Sequence, residues 1–265
     1  MSLKFTILGC GSSMGVPRAA LGWGDCDPNE PKNRRRRCAL LVERAQGPGK
    51  VTRVLVDAGP DLREQLIDAK VDWVDGVLIT HEHADHTHGL DDLRPLFVHK
   101  RHRIDVYMDD VTSRVMNIRF GYCFHTPAGS QYPPIVKEHR LVPGTPVTIH
   151  GQGGPIEVLP ILQNHGDIDS LGFRFGNVAY STDLKRLSDE SVAALEGLDI
   201  WIVDALRRTP HPSHMHLPET LDWIERIAPK RAILTDMHTD MDFATLRAEL
   251  PAHVEPAYDG MQFEL

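Results

Sequence analysis

The 265-residue sequence predicts an α/β protein. Short runs rich in Val, Ile and Leu recur from one end of the chain to the other, segments with helical patterning fall between many of them, and several runs end in His or Asp. Alternating strands and helices build sheets with helices on their faces, and such folds place their sites at strand ends.

The first strand is expected in KFTILG (4–9), and the Gly-Ser-rich ILGCGSSMGVP (7–17) turns out of it. Two more strands follow in CALLVE (38–43) and RVLVDAG (53–59). PDLREQLIDA (60–69) reads as a helix with Pro60 suited to its first turn. VDGVLITH (74–81) is a buried strand, GLDDLRPLF (89–97) a helix, IDVYMD (104–109) a strand, and a helix is expected near 110–120. The stretch 126–155 is rich in Pro and Gly. Three strand-led units close the chain: VAYSTD (178–183) before SDESVAALEG, IWIVDAL (200–206) before PETLDWIERIA, and RAILTDMH (231–238) before DFATLRAEL. One segment fits neither period. GWGDCDPNEPKNRRRRC (22–38) carries Arg34 to Arg37 in a row, and reads either as a solvated basic loop or as a loop closing over an anionic substrate.

Composition sets the limits. With 41% hydrophobic and 25% charged residues the chain can bury a sizeable core, expected as one domain over 1–265. No apolar run approaches the ~20 residues of a membrane span, and no signal peptide precedes the first strand, so a cytoplasmic protein without a membrane partner is expected. A net charge of −8 argues against gripping long nucleic acid, where Lys and Arg neutralise phosphates. The four cysteines show no C-x-x-C spacing and read as reduced, partly buried thiols. Histidine is the outlier, with fifteen residues.

Four of these lie in LITHEHADHTHGL (78–90), at the end of a buried strand. His81, His83, Asp85 and His86 form H-x-H-x-D-H. On a tight loop alternate side chains point to different sides, so one short peptide can serve two metal positions. Imidazole suits Zn, Mn, Fe or Ni, and a carboxylate adds charge and can bridge. One loop cannot complete two shells. Later strand ends offer His165 in ILQNHGD, Asp183 in AYSTDL and His238 in LTDMHTD. Asp57, ending VLVDAG, reads either as a support that fixes a histidine tautomer or as a helix-entry residue, while His88 reads as a surface or supporting residue.

That order of residues resembles the metallo-β-lactamase superfamily over almost the whole chain. The resemblance implies an αββα sandwich of two mixed β-sheets with helices outside, and two divalent transition metals, Zn or Mn, in a cleft at one edge. It implies His81, His83 and His165 on the first metal, Asp85, His86 and His238 on the second, and Asp183 bridging both, with water activated between the ions. Asp236 departs from the pattern, since relatives often carry His there, and is left out of the ligand set.

ILGCGSSMGVP and TPHPSHMHLPETLDWIERIAPKRAILTDMH (209–238) resemble the phosphodiesterase branch, and its PhnP-like group in particular. The resemblance makes His214 the residue that stabilises the transition state or protonates the leaving oxygen, ahead of His211 and His216. Asp85 joins it as a catalytic candidate, and Ser12 and Ser13 are candidate substrate contacts. Members of the group carry a cysteine-rich structural zinc site near the N-terminus; only Cys26 stands in the comparable loop, so no structural zinc is expected.

The expected activity is metal-dependent hydrolysis of a small cyclic nucleotide or ribose phosphate diester. A lactonase- or thioesterase-type hydrolase and a non-catalytic nucleotide-binding metalloprotein are the alternatives, and a homodimer is left open.

Overall fold

A computed structural model describes residues 2–265. Its first sheet holds β1 (Leu3–Gly9), β2 (Ala39–Ala45), β3 (Val51–Val56), β4 (Gly76–Leu78), β5 (Ile104–Met108) and β6 (Val136–Arg140). Its second holds β7 (Val147–Ile149), β8 (Ile156–His165), β9 (Ile168–Phe175), β10 (Val178–Ser181), β11 (Ile200–Asp204), β12 (Arg231–Thr235) and β13 (Val254–Pro256). The last strand, β14 (Gln262–Glu264), returns to pair with β1. The orders are β14-β1-β2-β3-β4-β5-β6 and β13-β12-β11-β10-β9-β8-β7. Both sheets mix parallel and antiparallel pairs.

Strand alternation explains the layering. On β2, Leu40 and Val42 face the second sheet while Leu41 faces outward; on β3, Val54 and Val56 face inward and Leu55 outward. Phe5 meets Phe175 across the sheets, ring edge to face at 6.0 Å. Burying one such ring contributes roughly 1.5–3 kcal/mol. The outer face of the first sheet is covered by α1 (Leu62–Asp68), α3 (Arg94–Lys100) and α4 (Asp110–Phe124), through Leu62, Leu66, Leu96 and Met116. Between α1 and α3 lies the four-residue α2 (Ala84–Thr87). Beyond the second sheet lie α5 (Asp189–Ala194), α6 (Leu217–Ile227) and α7 (Phe243–Glu249), the last two contributing Ile224, Ile227 and Leu246. The αββα sandwich is therefore present.

α6 shows why these helices start and stop where they do. His216 at its N-cap and Glu219 satisfy each other's exposed backbone N–H groups, Pro218 supplies a fixed φ in the first turn, and Ala228 ends the helix at φ 53°. Leu217, Thr220, Ile224 and Ile227 recur at helical spacing and form its buried stripe.

Several expectations need correction. The Pro/Gly-rich stretch 126–155, where no strand is expected, holds β6 and β7, and the β8–β9 hairpin follows. β7 is only three residues long, and Pro160 interrupts the apolar run of β8, so neither announces itself locally. The segment 89–97 is a 3₁₀ turn over Leu90–Leu93 leading into α3. Pro60 stands before the cap of α1, which begins at Leu62.

The Arg34–Arg37 run is neither a solvated loop nor a substrate cover. Arg35 is 2% exposed, and its guanidinium donates to Met241 O at 2.6 Å and His238 O at 3.4 Å. Arg36 pairs with Asp259 and Asp68, and Arg37 with Asp61; only Arg34 is exposed. All four cysteines are buried free thiols. No helix is long and apolar enough to cross a membrane.

Candidate metal centre

Parallel register brings the chemistry to one edge. Val56 of β3 pairs with Leu78 of β4, so Asp57 and the histidine loop leave the first sheet side by side. In the second sheet Ser181 pairs with Val203 and Asp204 with Thr235, which aligns the ends of β10, β11 and β12. Asp57, Asp183 and Asp236 adopt φ of 67°, 50° and 60° just beyond their strands. Aspartate tolerates this left-handed region better than most residues, and the bend turns each chain out of its sheet at the cleft. The histidine loop packs against the β3–α1 turn backbone to backbone: a Cβ on Gly59 would lie 2.0 Å from Asp85 O, and one on Gly89 1.9 Å from Gly59 O.

Hydrogen bonds fix the tautomers. The buried Asp57 carboxylate only accepts, and it takes the backbone N–H and the hydroxyl of Thr80 at 2.9 and 3.0 Å. The Thr80 oxygen is then left to accept from His81 Nδ1 at 3.0 Å. His86 Nδ1 donates to Asp57 Oδ2 at 2.7 Å, and His165 Nδ1 donates to Ser213 O at 2.8 Å. In the neutral ring each assignment leaves Nε2 as a lone pair turned inward. His81 Nε2 and His86 Nε2 are buried with no hydrogen-bond partner. Such atoms cost about 1–3 kcal/mol each, and a bound cation removes that cost.

Asp183 is the hub. Its Oδ1 lies 3.7 Å from His81 Nε2 and 3.4 Å from His165 Nε2, and its Oδ2 lies 3.0 Å from His86 Nε2. Ligand atoms of His81, His83, His165 and Asp183 all fall within 4.8 Å of one another, as do those of Asp183, His214 and Asp236. Asp85 Oδ2 is 3.3 Å from His86 Nε2. This mixed imidazole and carboxylate set fits divalent transition metals.

The electrostatics separate the two buried rings. Burial disfavours a charged His81, and its imidazole neighbours add to this, so its pKa falls well below the usual histidine value. At His86 burial acts the same way, but the carboxylates of Asp183, Asp85 and Asp57 outweigh it and hold the ring well above that value. For Asp183, burial is overcome by His86 and His81, which hold it well below the carboxylate range.

His214 lies inside the cleft. Its Nε2 is 3.8 Å from Asp183 Oδ1, while Nδ1 donates to Asp204 Oδ2 at 2.9 Å and lies 3.0 Å from Asp236 Oδ2. Burial opposes its charge, yet Asp204 and Asp236 push its pKa up to about 12. Asp204 itself is raised to about 6, by burial and by Asp183, despite the imidazole beside it. His211 is pushed down to about 4 by burial and by His214. His216 is taken up in capping α6, and exposed His88 packs edge-on against Phe120.

A cavity of about 500 Å³ collects these groups. Its walls include Ser12, Ser13, His83, Asp85, His165, Asp183, His214 and His238. His238 lines it, yet its ring lies outside both tight groupings, with Nδ1 3.6 Å from Asp240 Oδ1. Asp204, Arg18 and Arg207 are cleft residues that sequence reasoning passed over, and Asp236 is one that it set aside. A usable signal existed for two of them: Asp57, Asp183, Asp204 and Asp236 all follow apolar runs, in VLVD, YSTD, WIVD and ILTD.

The beta-lactamase superfamily domain matches residues 52–237. The chain belongs to the metallo-β-lactamase superfamily. Among superfamily structures, a diphosphatase of the PhnP family is similar over the whole chain and 98% of its own, with 34% identity and a TM-score of 0.88. YhfI of Bacillus subtilis, a metallo-β-lactamase fold protein, is 20% identical with a TM-score of 0.70, over 100% of this chain and 99% of its own. An octanoyltransferase of Porphyromonas gingivalis is 31% identical over 98% of this chain, which spans about half (51%) of that longer protein.

Proposed function

We propose that the protein is a dinuclear metal-dependent hydrolase of small phosphoesters, a phosphodiesterase on a cyclic nucleotide or a ribose phosphate diester. The observation that carries this reading is His214: a histidine backed by two carboxylates, facing the shared carboxylate of a buried ligand cluster. A hydrolase that only opens esters of good leaving groups has no need of such an acid, whereas expelling an alkoxide from phosphorus does.

His81, His83, His165 and Asp183 would hold one cation; Asp85, His86 and Asp183, with His238 brought from the cavity wall, would hold the other. Bound there, the metals lower the pKa of water from about 15.7 towards neutrality and offset the charge that develops on phosphorus. The protein's own groups do the rest. Asp57 and Thr80 keep His81 and His86 in the ligating tautomers. Asp204 and Asp236 keep His214 protonated and aim Nε2 into the cleft, where the proton passes to the departing oxygen. A nearby cation would draw the His214 pKa down from about 12 towards the range where it both gives and regains a proton.

Similarity to a PhnP-family diphosphatase supports phosphoryl chemistry. The octanoyltransferase relative is about twice as long as this chain, and an acyl-transfer activity would require esters to be cleaved here. Turnover of bis(p-nitrophenyl) phosphate against p-nitrophenyl acetate, a thioester and a lactam separates the readings. Phosphodiester cleavage that depends on added Zn or Mn is expected. Ester or lactam cleavage alone would overturn the proposal, and metal and nucleotide binding without turnover would make the protein a sensor. Long nucleic acid is not an expected substrate, since three of the four arginines in the basic run are committed to internal partners.

A further inference from the structure

The turn TPHPSH (209–214) brings a second histidine, besides His214, to the wall of the cleft. His211 stands between Pro210 and Pro212, and a proline fixes its own φ and restricts the residue before it. Arg207 braces the same turn by donating to the carbonyls of Thr209 and Pro210. At the far end Ser213 packs closely on the β8–β9 turn: a Cβ on Gly166 would lie 2.6 Å from Ser213 Cβ. The backbone that carries His211 is held on both sides.

Ser213 sets two imidazoles in opposite senses. Its carbonyl accepts from His165 Nδ1 at 2.8 Å, which leaves Nε2 of that ring to a cation. Its N–H donates to His211 Nδ1 at 3.3 Å, and a ring nitrogen that accepts carries no proton of its own. The Ser213 hydroxyl, also 3.3 Å from that nitrogen, adds to the donation. In the neutral ring the proton therefore sits on Nε2. Burial and the His214 imidazole lower the His211 pKa to about 4, so the ring is neutral near pH 7. His214, whose ring centre is 5.1 Å away, is held protonated by Asp204 and Asp236. Neighbouring groups in opposite protonation states suit different tasks. His214 gives up a proton, whereas His211 offers an N–H that it keeps.

Among the described residues no acceptor takes that N–H, and the ring lines the cavity. The acceptor is left to the substrate, beside the oxygen that His214 protonates. A hydroxyl on the next carbon fits two imidazoles standing side by side. We infer that His211 donates from Nε2 to the ribose hydroxyl vicinal to the leaving oxygen, and so selects ribose over deoxyribose esters. This rests on the phosphoester reading and deepens it.

The test is NMR of zinc-loaded protein carrying isotope-labelled histidine, titrated with adenosine 3′-phosphate and with its 2′-deoxy counterpart. The His211 signals should show the proton on Nε2, and that N–H should shift more with the ribose form. The ribose form should bind about tenfold tighter, the scale of one hydrogen bond to an otherwise unpaired donor. His211→Ala should bring the two affinities within about twofold of each other. His211→Gln, whose amide N–H can stand near the place of Nε2, should restore part of the preference, which a merely structural role would not do. A proton on Nδ1, equal affinities in the wild type, no binding of either nucleotide, or a preference that survives His211→Ala would each overturn the contact. Bis(p-nitrophenyl) phosphate has no such hydroxyl, so its turnover tests the phosphoester reading separately. Its cleavage without a ribose preference would remove the contact and leave that reading standing. A ribose preference in binding without cleavage of any phosphoester would do the reverse.

Discussion

The metal cleft and the loop over residues 22–38 both hold buried polar side chains whose partners lie far away in sequence, yet they end in opposite states. In the loop, Asn33 donates to Asp242 Oδ2 at 2.6 Å and to Asp27 O, and accepts from the Phe243 backbone. Asp242 also caps α7 through Thr245. Arg35 ties the loop to the backbone of His238 and Met241. In the cleft, by contrast, His81 Nε2 and His86 Nε2 both turn towards the carboxylate of Asp183, which a neutral imidazole lone pair cannot satisfy. The loop's buried groups satisfy one another, whereas those of the cleft leave nitrogens that a bound cation would satisfy. Partners on every side mark a buried polar group as structural, and bare lone pairs converging on one point mark it as a site.

The sharpest way to break this contrast is at the hub. Asp183→Ala should lower metal content at both positions and reduce turnover by about 10³-fold or more, on the scale of losing a charge that the transition state requires. Elemental analysis and kcat on a phosphodiester check it, and full metal content with full activity would sink the ligand assignment. The same variant should lose the rise in Tm that metal loading gives the wild type, since only a ligand bound to the native state stabilises it. Chelation should have little effect on the 22–38 loop, read as unchanged protection of its amides from hydrogen exchange.

His214→Ala should keep both metals and lose about 10²–10⁴-fold in kcat on alkyl diesters. The loss should shrink with p-nitrophenolate as leaving group, which needs little protonation. Equal losses on good and poor leaving groups would show that His214 only positions the substrate.

In the loop the expected effects are on stability. Arg35→Met should cost about 2–4 kcal/mol, because the carbonyls of Met241 and His238 lose their buried donor. Metal affinity should fall as well, since that donor holds the segment carrying His238; unchanged affinity would limit Arg35 to the fold.

The smallest effect tests the charge of Asp242. Burial opposes that charge, but bonds from Thr245, Asn33 and Asp27 lower its pKa to about 2. The folded value lies below the ordinary 3.8, so the stabilisation is present above about 4 and is lost as pH falls towards 2. Asp242→Asn should therefore cost on the order of 1–2 kcal/mol at pH 7 by urea denaturation, and the gap from wild type should narrow at pH 3. A gap independent of pH would mean that shape rather than charge holds the loop.

The same contrast explains what could be read in advance. The histidine motif was legible because its residues lie within six positions of one another at a strand end. His165, Asp183 and His214 were legible through resemblance, as each sits in a short pattern beside an apolar run. Asp204 and Asp236 carried the same strand-end signal, but it counts only once parallel register sets β11 beside β12. The arginine run misled because four like charges in a row look solvated, and their carboxylate and carbonyl partners lie elsewhere in the chain. The β8–β9 hairpin was hidden by Pro160 within β8, although the two-residue turn at Gly166 and Asp167 is itself a hairpin signal.

By itself the sequence determined the α/β class and most strand and helix positions, because periodicity is a local property, and it put forward the candidate ligands through motif spacing and resemblance. The tertiary structure alone decided which nitrogen of each histidine faces the cleft, which carboxylates back His214, and which arginines are neutralised. Each of those depends on a partner brought close by sheet register across tens or hundreds of residues, and the energy of a buried charge is set by that partner rather than by its neighbours in the chain.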